Sequence, residues 1–435
     1  MSISEIKTSY KLQSPVSGKI FEDTGWMLEA PGEKPSLLRS VYAQTQLSLG
    51  PDSNGLFRFA DWLPVKRMLN GSSAPVTFKS SGLAQAIGLK NLYITFSGYW
   101  PDKGATMRTC SFKETEAYSV CARLEAESGK TLVVASAGNT ARAFARVCSD
   151  NLIPLLLCVP FDVIDALWFD EPLNDCVRLI CTPAGSDYFD AIHLSNLACQ
   201  IDGFIPEGGA KNIARRDGMA TTVLSATTFI GKIPDYYFQA VGSGTGAIAA
   251  WEANLRLIHD KRFGDHKMKL ILSQNNPFLP MVKAWEVASR ELLPIDDDLA
   301  RDQIRQIKAK VLSNRKPPYS IAGGLFDALS DCGGKMFRVS NEELEIASQL
   351  FLLTEGIDLH PAAAVATASL MQFADNYLLS PDSVVMLNIT GGGEALFKKE
   401  KNLFFLKPFA IIEADTSPEQ ITPILTSGKT EHYDE

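Results

Sequence analysis

Four short segments of this 435-residue chain carry residue types that suit chemistry on a bound small molecule. The first contains Lys113, which follows a Ser-Phe pair and opens a stretch with a helical apolar pattern. The other three are residues 136–140 (Ser-Ala-Gly-Asn-Thr), 242–246 (Gly-Ser-Gly-Thr-Gly) and 390–393 (Thr-Gly-Gly-Gly). A lysine amine forms a Schiff base with an aldehyde and acts as a general base once it is released. Considered alone, Lys113 has a simpler alternative, a solvated lysine in a first helical turn.

The glycine-rich segment lies between a predicted strand and a predicted helix, and it consists of Gly242, Ser243, Gly244, Thr245 and Gly246. Glycines let backbone N–H groups converge on phosphate oxygens, and a helix N-terminus adds positive potential. A dinucleotide site has similar glycines but requires an acidic residue at the end of the next strand. Here that strand ends near Ser273 and is followed by Gln274 and Asn275. The segment therefore predicts a phosphate-binding loop.

The segment after the predicted strand 131–135 is a strand-to-helix turn rich in small residues. Backbone N–H groups and hydroxyls at such a turn bind carboxylates. We therefore expect a substrate carboxylate to be bound by Ser136, Ala137, Gly138 and Thr140. The alternative is an ordinary helix N-cap formed by Asn139 or Thr140. For Thr390 the alternative to a functional hydroxyl is a Thr-Gly turn.

Several basic residues are candidates for binding an anionic substrate. Arg142 is the strongest, because it lies one turn inside the helix that the carboxylate-binding turn opens. Arg108 precedes the lysine segment, and the weaker candidates are Lys103, Lys211, Arg215 and Arg216. Most charged residues are solvated surface groups, which is the alternative for each of them. His360, directly before a proline, is predicted to be structural rather than catalytic.

The composition is that of a globular protein long enough for two domains, with 46% hydrophobic and 21% charged residues. A formal net charge of -8 disfavours a nucleic-acid partner. We find no apolar run long enough to predict a membrane span and no apolar signal region at the start. The eight cysteines are scattered without a C-x-x-C pair, so we predict no metal site and a reducing, cytoplasmic location.

Short apolar runs alternate with helical patterns from Lys113 onward, beginning with Ala117, Val120, Cys121 and Leu124 on one helical face. The predicted strands cover residues 131–135, 152–159, 176–181, 236–241, 269–273 and 384–389. The predicted helices cover residues 80–87, 141–147, 189–201 and 247–258, whereas residues 50–61 are predicted as loop and 294–320 as a helix and connector. This alternation predicts an α/β protein with mostly parallel sheets flanked by helices.

The order of the four segments resembles that of threonine synthase and its relatives, pyridoxal-phosphate enzymes with a two-domain, tryptophan-synthase-β-like fold of type II. The resemblance extends to residues 208–216, 355–357 and 361–364, and more faintly to residues 35–63. It implies that Lys113 is the Schiff-base lysine, that Asn139 and Thr390 contact the ring of pyridoxal 5'-phosphate, and that residues 242–246 hold its phosphate. A neutral hydroxyl at the pyridine nitrogen leaves that nitrogen unprotonated, which suits β-elimination and replacement. Homo-oligomers are common in the family.

The resemblance also implies a domain arrangement. Residues 91–128 and 230–415 are expected to form a large cofactor-binding domain, to which an arm of residues 1–90 contributes. Residues 129–229 are expected to form a small domain, and residues 416–435, which are acidic and polar, a surface tail.

Three departures from the usual family pattern bear on the substrate. Residues 109–115 read Thr-Cys-Ser-Phe-Lys-Glu-Thr where threonine synthases usually carry Thr-Gly-Ser-Phe-Lys-Asp-Arg. Arg142 stands where a small residue is usual, and residues 97–103 are atypical. The combination is similar to the branch of the family that replaces the phosphate of O-phospho-L-serine with sulfite, for coenzyme M biosynthesis. The alternative activity is that of threonine synthase on O-phosphohomoserine and water. A regulator that only binds ligand, and a nucleotide-binding module, are the non-enzymatic alternatives.

Overall fold

The computed structural model describes residues 8–50, 52–125, 128–136, 138–376, 379–380, 382–413 and 416–426. Contacts divide the chain into two compact units. The large unit contains the described residues of Met1–Met68, Ser72–Leu124 and Gly209–Glu400. The small unit contains those of Leu69–Gly71, Glu125–Gly208 and Lys401–Glu435.

The strands, in chain order, are β1 (Tyr10–Gln13), β2 (Ile20–Phe21), β3 (Arg39–Tyr42), β4 (Val76–Lys79), β5 (Leu92–Phe96), β6 (Tyr99–Trp100), β7 (Ala105–Thr106), β8 (Thr131–Ala135), β9 (Leu155–Pro160), β10 (Trp168–Phe169), β11 (Val177–Thr182), β12 (Phe204–Pro206), β13 (Tyr236–Ala240), β14 (Lys269–Asn275), β15 (Lys335–Val339), β16 (Val385–Ile389), β17 (Phe404–Phe405) and β18 (Ala410–Ile411).

The α-helices are α1 (Gly82–Ala86), α2 (Lys113–Arg123), α3 (Asn139–Asp150), α4 (Tyr188–Ala198), α5 (Ile213–Ile230), α6 (Thr245–Asp260), α7 (Pro280–Glu286), α8 (Asp297–Gln306), α9 (Leu325–Cys332), α10 (Asn341–Glu355), α11 (Pro361–Asn376), α12 (Glu394–Glu400) and α13 (Pro418–Thr426). Short 3-10 helices cover Asp52–Trp62, Pro101–Lys103, Phe161–Ala166, Gly209–Lys211 and Lys310–Leu312.

The large unit is built on a sheet with the strand order β15-β14-β13-β16-β5-β4. All its neighbouring pairs are parallel except β4 with β5. Buried parallel strands read as continuous apolar runs, which is why β16 could be predicted at residues 384–389, whereas β5 was not among the predicted strands. The chain runs outward from β13 through β14 to β15 on one side, while β16 pairs with β13 on the other. The strand order therefore reverses between β13 and β16, where open α/β sheets bind ligands beyond the carboxyl ends of the strands.

The small unit also contains a parallel sheet, with the strand order β12-β8-β9-β11-β18. Its order reverses between β8 and β12, so the turn after β8 lies at the corresponding position of the small sheet. The strands of both sheets are mostly paired in parallel, and helices flank both sheets, which confirms the predicted α/β class.

The predicted domain boundaries differ from those of the observed units at several places. Helix α5 lies in the large unit, although residues 213–229 were assigned to the small domain. The reason is close packing on α2: a Cβ at Gly218 would overlap the carbonyl oxygen of Thr115 and lie 2.8 Å from the Cβ of Ser119. Only glycine allows the two helices to approach so closely.

The predicted surface tail is corrected for its described part. Residues 418–426 form α13, and its Ile421 and Leu425 are buried in the core of the small unit together with Val133 and Leu156. Strand β18 also joins the small sheet rather than the large domain. The apolar residues at i and i+4 mark one helical face, a signal that the acidic composition of this region obscured.

The predicted loop at residues 50–61 is corrected too. Residues 52–62 form 3-10 helical turns interrupted by a kink, with non-helical backbone angles at Gly55 and Phe59, and Leu56, Phe57 and Phe59 are buried. These side chains belong to the large unit, so the segment contributes to its core rather than lying on the surface.

Replacing Gly218 by alanine is expected to lower the free energy of unfolding by about 1–3 kcal/mol, because the added methyl overpacks the α2–α5 contact. The measurement is chemical denaturation of purified protein. Thr228→Ala is the control in the same helix, because it removes only a hydroxyl that donates to the helix's own Leu224 carbonyl. Equal stability of Gly218→Ala and the parent protein would contradict the close packing.

Candidate active site

The glycine-rich loop lies where the sequence predicts it, directly after β13 and at the start of α6. Gly244 caps the helix with φ of 79°, in the left-handed region that glycine tolerates. The Ser243 hydroxyl accepts a hydrogen bond from the Thr245 amide at 3.3 Å and contacts the Thr245 hydroxyl at 2.9 Å. The first amides of a helix have no intrahelical acceptor, so this turn can receive an anion.

Thr390 follows β16, the neighbour of β13 across the strand-order reversal, and it is nearly buried. Its carbonyl oxygen accepts a hydrogen bond from the Phe112 amide at 2.9 Å. A bridge between Ser111 and Gly391 extends this pairing. The residue before Lys113 is thus tied to the carboxyl end of β16.

The glycine loop reaches the same place. A Cβ at Gly246 would lie 3.1 Å from Cε2 of the Phe112 ring and 2.8 Å from the Gln239 side chain. Three of the four sequence segments, those of Lys113, Gly246 and Thr390, therefore converge at one edge of the large sheet.

Lys113 begins α2, as predicted, and its side chain is 20% exposed. Its ammonium group lies 3.2 Å from Oε2 of Glu116 and 4.9 Å from the centroid of the Phe112 ring. Glu116 is fully buried, and its other oxygen lies 3.5 Å from Arg215. Sequence reasoning missed Glu116, although a carboxylate three residues after a lysine on a helix is a recognisable pairing signal.

The turn that leads into Lys113 is held by a second carboxylate that the sequence reasoning did not single out. The buried Glu114 accepts hydrogen bonds from the Thr109 amide at 3.0 Å and the Thr109 hydroxyl at 2.9 Å. Cys110 in this turn has φ of 53°, which is uncommon outside glycine. This explains why the resembling enzymes usually carry glycine there, and it makes the cysteine an unusual feature of this chain.

A buried polar cluster lies within the large sheet beside the glycine loop, and sequence reasoning missed it as well. Asn388 donates to the Tyr237 hydroxyl at 2.8 Å and to Oε1 of Gln239 at 3.1 Å. Burial raises the pKa of the Tyr237 phenol far above its usual range, so this hydroxyl stays protonated. The cluster fixes the Gln239 side chain, against which Gly246 packs.

In the small unit, residues 136–140 form the turn between β8 and α3, except that Ala137 lies outside the described residues. The Ser136 hydroxyl accepts a hydrogen bond from the Gly138 amide at 3.1 Å. Gly138 has φ of 143°, a conformation that favours glycine. Asn139 and Thr140 form the first turn of α3, where helix amides point outward.

Arg142 is buried, with 2% of its surface exposed, so the alternative of a solvated surface arginine is wrong. Its guanidinium stacks 3.9 Å from the centroid of the Trp168 ring and donates to the Ala166 carbonyl at 2.9 Å. It also donates to Oδ1 of Asn139 at 3.1 Å. The arginine therefore orients Asn139. The sequence did not indicate this role, because the groups that hold the arginine, the Ala166 carbonyl and the Trp168 ring, lie far along the chain.

The other basic candidates are placed differently. Arg108 is half-buried in the turn before Lys113. The ammonium of Lys103 lies 4.8 Å from the centroid of the Phe78 ring, and Lys211 pairs with Glu29. Lys103 is exposed, and Lys211 is partly exposed.

Arg216, another candidate for anion binding, and His360, predicted to be structural, are both held by contacts within the protein. Arg216 is fully buried in an ion pair with Glu252 at 2.9 Å. Nδ1 of His360 accepts a hydrogen bond from the Ala362 amide at 3.3 Å at the start of α11.

Within the described ranges, no group of three or more His, Cys, Asp or Glu side chains could hold a metal ion. The described helices include none that combines the length and apolar character of a membrane span.

The family of pyridoxal-phosphate dependent enzymes matches residues 99–391, a range that contains the first three segments and the Thr-Gly pair that opens the fourth. The chain belongs to this family. Solved structures agree in fold: a maize serine racemase aligns with a TM-score of 0.57 at 13% identity, covering 75% of this chain and 91% of that one. The processed threonine deaminase isoform 2 from Solanum lycopersicum aligns with a TM-score of 0.57 at 18% identity, covering 86% and 98%. The predicted type II fold is confirmed.

Curated relatives are far more similar in sequence. A cysteate synthase of Methanoculleus marisnigri is 45% identical over 411 residues, which cover 94% of each chain. A cysteate synthase of Methanospirillum hungatei is 46% identical over 415 residues, 95% of this chain and 97% of that protein. A third, of Methanosarcina acetivorans, is 48% identical over 374 residues, covering 86% and 90%.

Proposed function

We propose that this protein is a pyridoxal-phosphate dependent cysteate synthase that converts O-phospho-L-serine and sulfite into L-cysteate and phosphate. The observation that carries the proposal is 44–48% identity to proteins of that name along most of the chain. In this exchange the bond from the β-carbon to the phosphate oxygen breaks, and a bond from the β-carbon to sulfur forms. The same similarity disfavours threonine synthase, and the chain's membership of an enzyme family disfavours a regulator that only binds ligand.

The residues of the large unit fit the cofactor. The turn of residues 242–246 offers a helix N-terminus and a left-handed glycine, which suit a phosphate group. Lys113 has a partly exposed amine at the same edge of the sheet. Thr390, which follows β16, has a hydroxyl at this edge. When bound, pyridoxal phosphate supplies an electron sink for charge at the substrate α-carbon. We assign Lys113 to holding the cofactor and moving the α-proton, and Thr390 to the ring nitrogen.

We propose that residues 136–140, the turn between β8 and α3, make further contacts with the cofactor and the substrate. Asn139 is the proposed partner of the cofactor's phenolic oxygen, and its side chain is oriented by Arg142. Ser136, Ala137, Gly138 and Thr140 are the proposed carboxylate-binding residues, supported by their place at a helix N-terminus. Arg142 and Arg108 are proposed to serve the anionic groups of phosphoserine and sulfite.

The decisive experiment incubates the purified holoenzyme with O-phospho-L-serine and sulfite, and separately with O-phosphohomoserine alone, and identifies the amino-acid products. We expect L-cysteate with stoichiometric phosphate in the first reaction and no threonine in the second. Threonine formation without cysteate would overturn the proposal. We further propose that the protein is cytoplasmic, forms a homo-oligomer and acts in coenzyme M biosynthesis. Size-exclusion chromatography with light scattering tests the oligomeric state.

Arg142→Ala is expected to lower kcat/KM for phosphoserine or sulfite by about 10- to 150-fold, since hydrogen bonds to charged groups contribute about 1.5–3 kcal/mol. It should also change the spectrum of the bound cofactor, because Asn139 loses its orienting donor. Arg142→Lys should rescue poorly, because an ammonium does not reproduce the guanidinium fork or its stacking on Trp168.

Arg146→Ala is the matched control for this series, as Arg146 is a buried arginine one turn further along α3 that bonds Ser149 and Asp150. If both variants lose activity in parallel with thermal stability, Arg142 acts only through the fold of the helix. Unchanged kinetics for both substrates in Arg142→Ala would remove it from anion binding.

A further inference from the structure

A cavity of about 320 Å³ in the large unit is bordered by the C-terminal half of α6, away from the glycine loop at the start of that helix. It is lined by Arg39 and Tyr42 of β3, by Trp62, and by Glu252, Arg256 and His259 of α6. Glu252 lies eight residues after Gly244, about 12 Å along the axis at 1.5 Å per residue. The cavity is thus at the opposite end of α6 from the proposed phosphate site.

The cavity is bordered by one face of α6. Glu252, Leu255, Arg256 and His259 line it at a spacing of three and four residues, which places them in one row along the helix. Its size falls in the range of small-molecule sites, and its walls combine apolar surface with a few polar groups, as such sites do.

Three residues that line this cavity each have a buried polar atom without a hydrogen-bond partner among the residues that the structure describes. These atoms are Oε1 of Glu252, Nε of Arg39 and Nη1 of Arg256. The Glu252 side chain is 96% buried, with only 4% exposed. Buried polar atoms of native proteins nearly always have a partner, so three among the residues that line one cavity indicate a missing one.

The rest of each side chain is held in place. Oε2 of Glu252 accepts a hydrogen bond from Arg216 at 2.9 Å, and Arg256 pairs with Asp217. The Arg39 guanidinium stacks 4.3 Å from the centroid of the Trp251 ring. The three unpartnered atoms therefore have fixed positions, which is the preorganisation that ligand binding favours.

The charges determine the kind of ligand. The guanidinium groups of Arg39, Arg216 and Arg256 face the two carboxylates of Glu252 and Asp217. Two further carboxylates interact with Arg39, but each has its own cation, Arg290 for Asp327 and Lys267 for Asp331, so one positive charge remains. Nε of Arg39 lies 3.8 Å from Oε1 of Glu252, too far for a hydrogen bond. An acid group would satisfy the two arginines, and an adjacent donor would satisfy the glutamate.

We propose that this cavity binds a small organic acid that has an apolar body and one hydrogen-bond donor beside its carboxylate. The carboxylate pairs with Arg39 and Arg256, the donor bonds Glu252, and the apolar body lies against Tyr42 and Trp62. Both 2-hydroxy acids and 2-amino acids have this chemistry. The site is separate from the one assigned to the cofactor and does not depend on the proposed reaction.

Isothermal titration of the holoenzyme with 2-hydroxy-4-methylpentanoate tests the proposal, since a hydroxy acid has no amine that can react with the cofactor aldehyde. L-leucine is titrated into borohydride-reduced protein, where the reduced cofactor cannot take the amine. Tighter binding of one of the two identifies the donor as hydroxyl or ammonium. We expect 4-methylpentanoate, which lacks the donor, to bind at least about tenfold more weakly. No saturable binding of either probe, or equal binding of 4-methylpentanoate, would overturn the proposal.

Variants of the cavity locate the binding. Arg39→Gln should weaken it at least about tenfold, and Leu255→Phe should block it by filling the space while leaving the charged groups intact. Arg305→Gln, a change at an exposed ion pair on α8, is the control and should bind as the parent does. Saturating O-phospho-L-serine should not compete with the probe. Binding that survives both cavity variants, or that phosphoserine displaces, would place the ligand elsewhere and overturn the assignment.

Discussion

Lys113→Ala is expected to abolish the visible absorbance of the bound cofactor and to lower turnover by about 10⁴-fold or more. General-base catalysis alone contributes about 10²- to 10⁴-fold, and this lysine is proposed both to hold the cofactor and to move the α-proton. The fold should survive, because the fully buried Glu116 keeps its ion pair with Arg215 at 3.5 Å.

The measurement combines steady-state assays with absorbance spectra after dialysis against pyridoxal phosphate. Lys267→Ala is the matched control, since Lys267 is a partly exposed lysine whose ion pair with Asp331 lies at 2.6 Å on the large unit. Borohydride reduction followed by peptide mapping gives an independent readout. A label on a lysine other than Lys113 would show that the assignment is wrong.

Gly244→Asp is expected to weaken cofactor binding by orders of magnitude. The substitution adds a carboxylate to the turn whose amides are proposed to face the cofactor phosphate, and like charges repel at short distance. The new Cβ would also lie 2.9 Å from the end of the flexible Leu325 side chain. The backbone φ of 79° at position 244 is one that aspartate and asparagine tolerate better than most residues.

Gly244→Asn separates the two effects, because asparagine has the size and backbone preference of aspartate without the charge. We expect the asparagine variant to bind the cofactor less tightly than the parent protein and much more tightly than the aspartate variant. Cofactor content after exhaustive dialysis measures both. Retention of cofactor by Gly244→Asp, or equal loss in both variants, would contradict a phosphate site at this turn.

The enzymatic proposal and the cavity proposal are independent in their tests. The first depends on products and cofactor spectra, whereas the second depends on binding heats that Arg39 and Leu255 control. Loss of binding in the Arg39 variant with normal turnover would support a second site beside a working enzyme. Loss of turnover with normal binding would implicate the cofactor site alone.

Local sequence patterns were enough to predict several elements of this protein. The strand predicted at residues 131–135 matches β8, and the prediction that Lys113 opens a helix matches α2. The glycine loop could be placed between β13 and α6 because strand and helix periods and glycine positions are local properties of the chain. The order of the four segments, together with this alternation, was enough to predict the fold class and the cofactor.

Which distant elements are neighbours depends on long-range packing, and it could be seen only in the folded chain. β13 pairs with β16 although they are separated by well over a hundred residues, and this pairing brings Thr390 to Phe112 and the glycine loop. Periodicity within a strand reports which faces are buried, but not which strand lies alongside. The stacking of Arg142 on Trp168, the burial of α13, and the unpartnered atoms around Glu252 follow from such long-range packing. For that reason the sequence could indicate the residues of the proposed cofactor site, whereas their orienting partners and the cavity beside α6 required the folded chain.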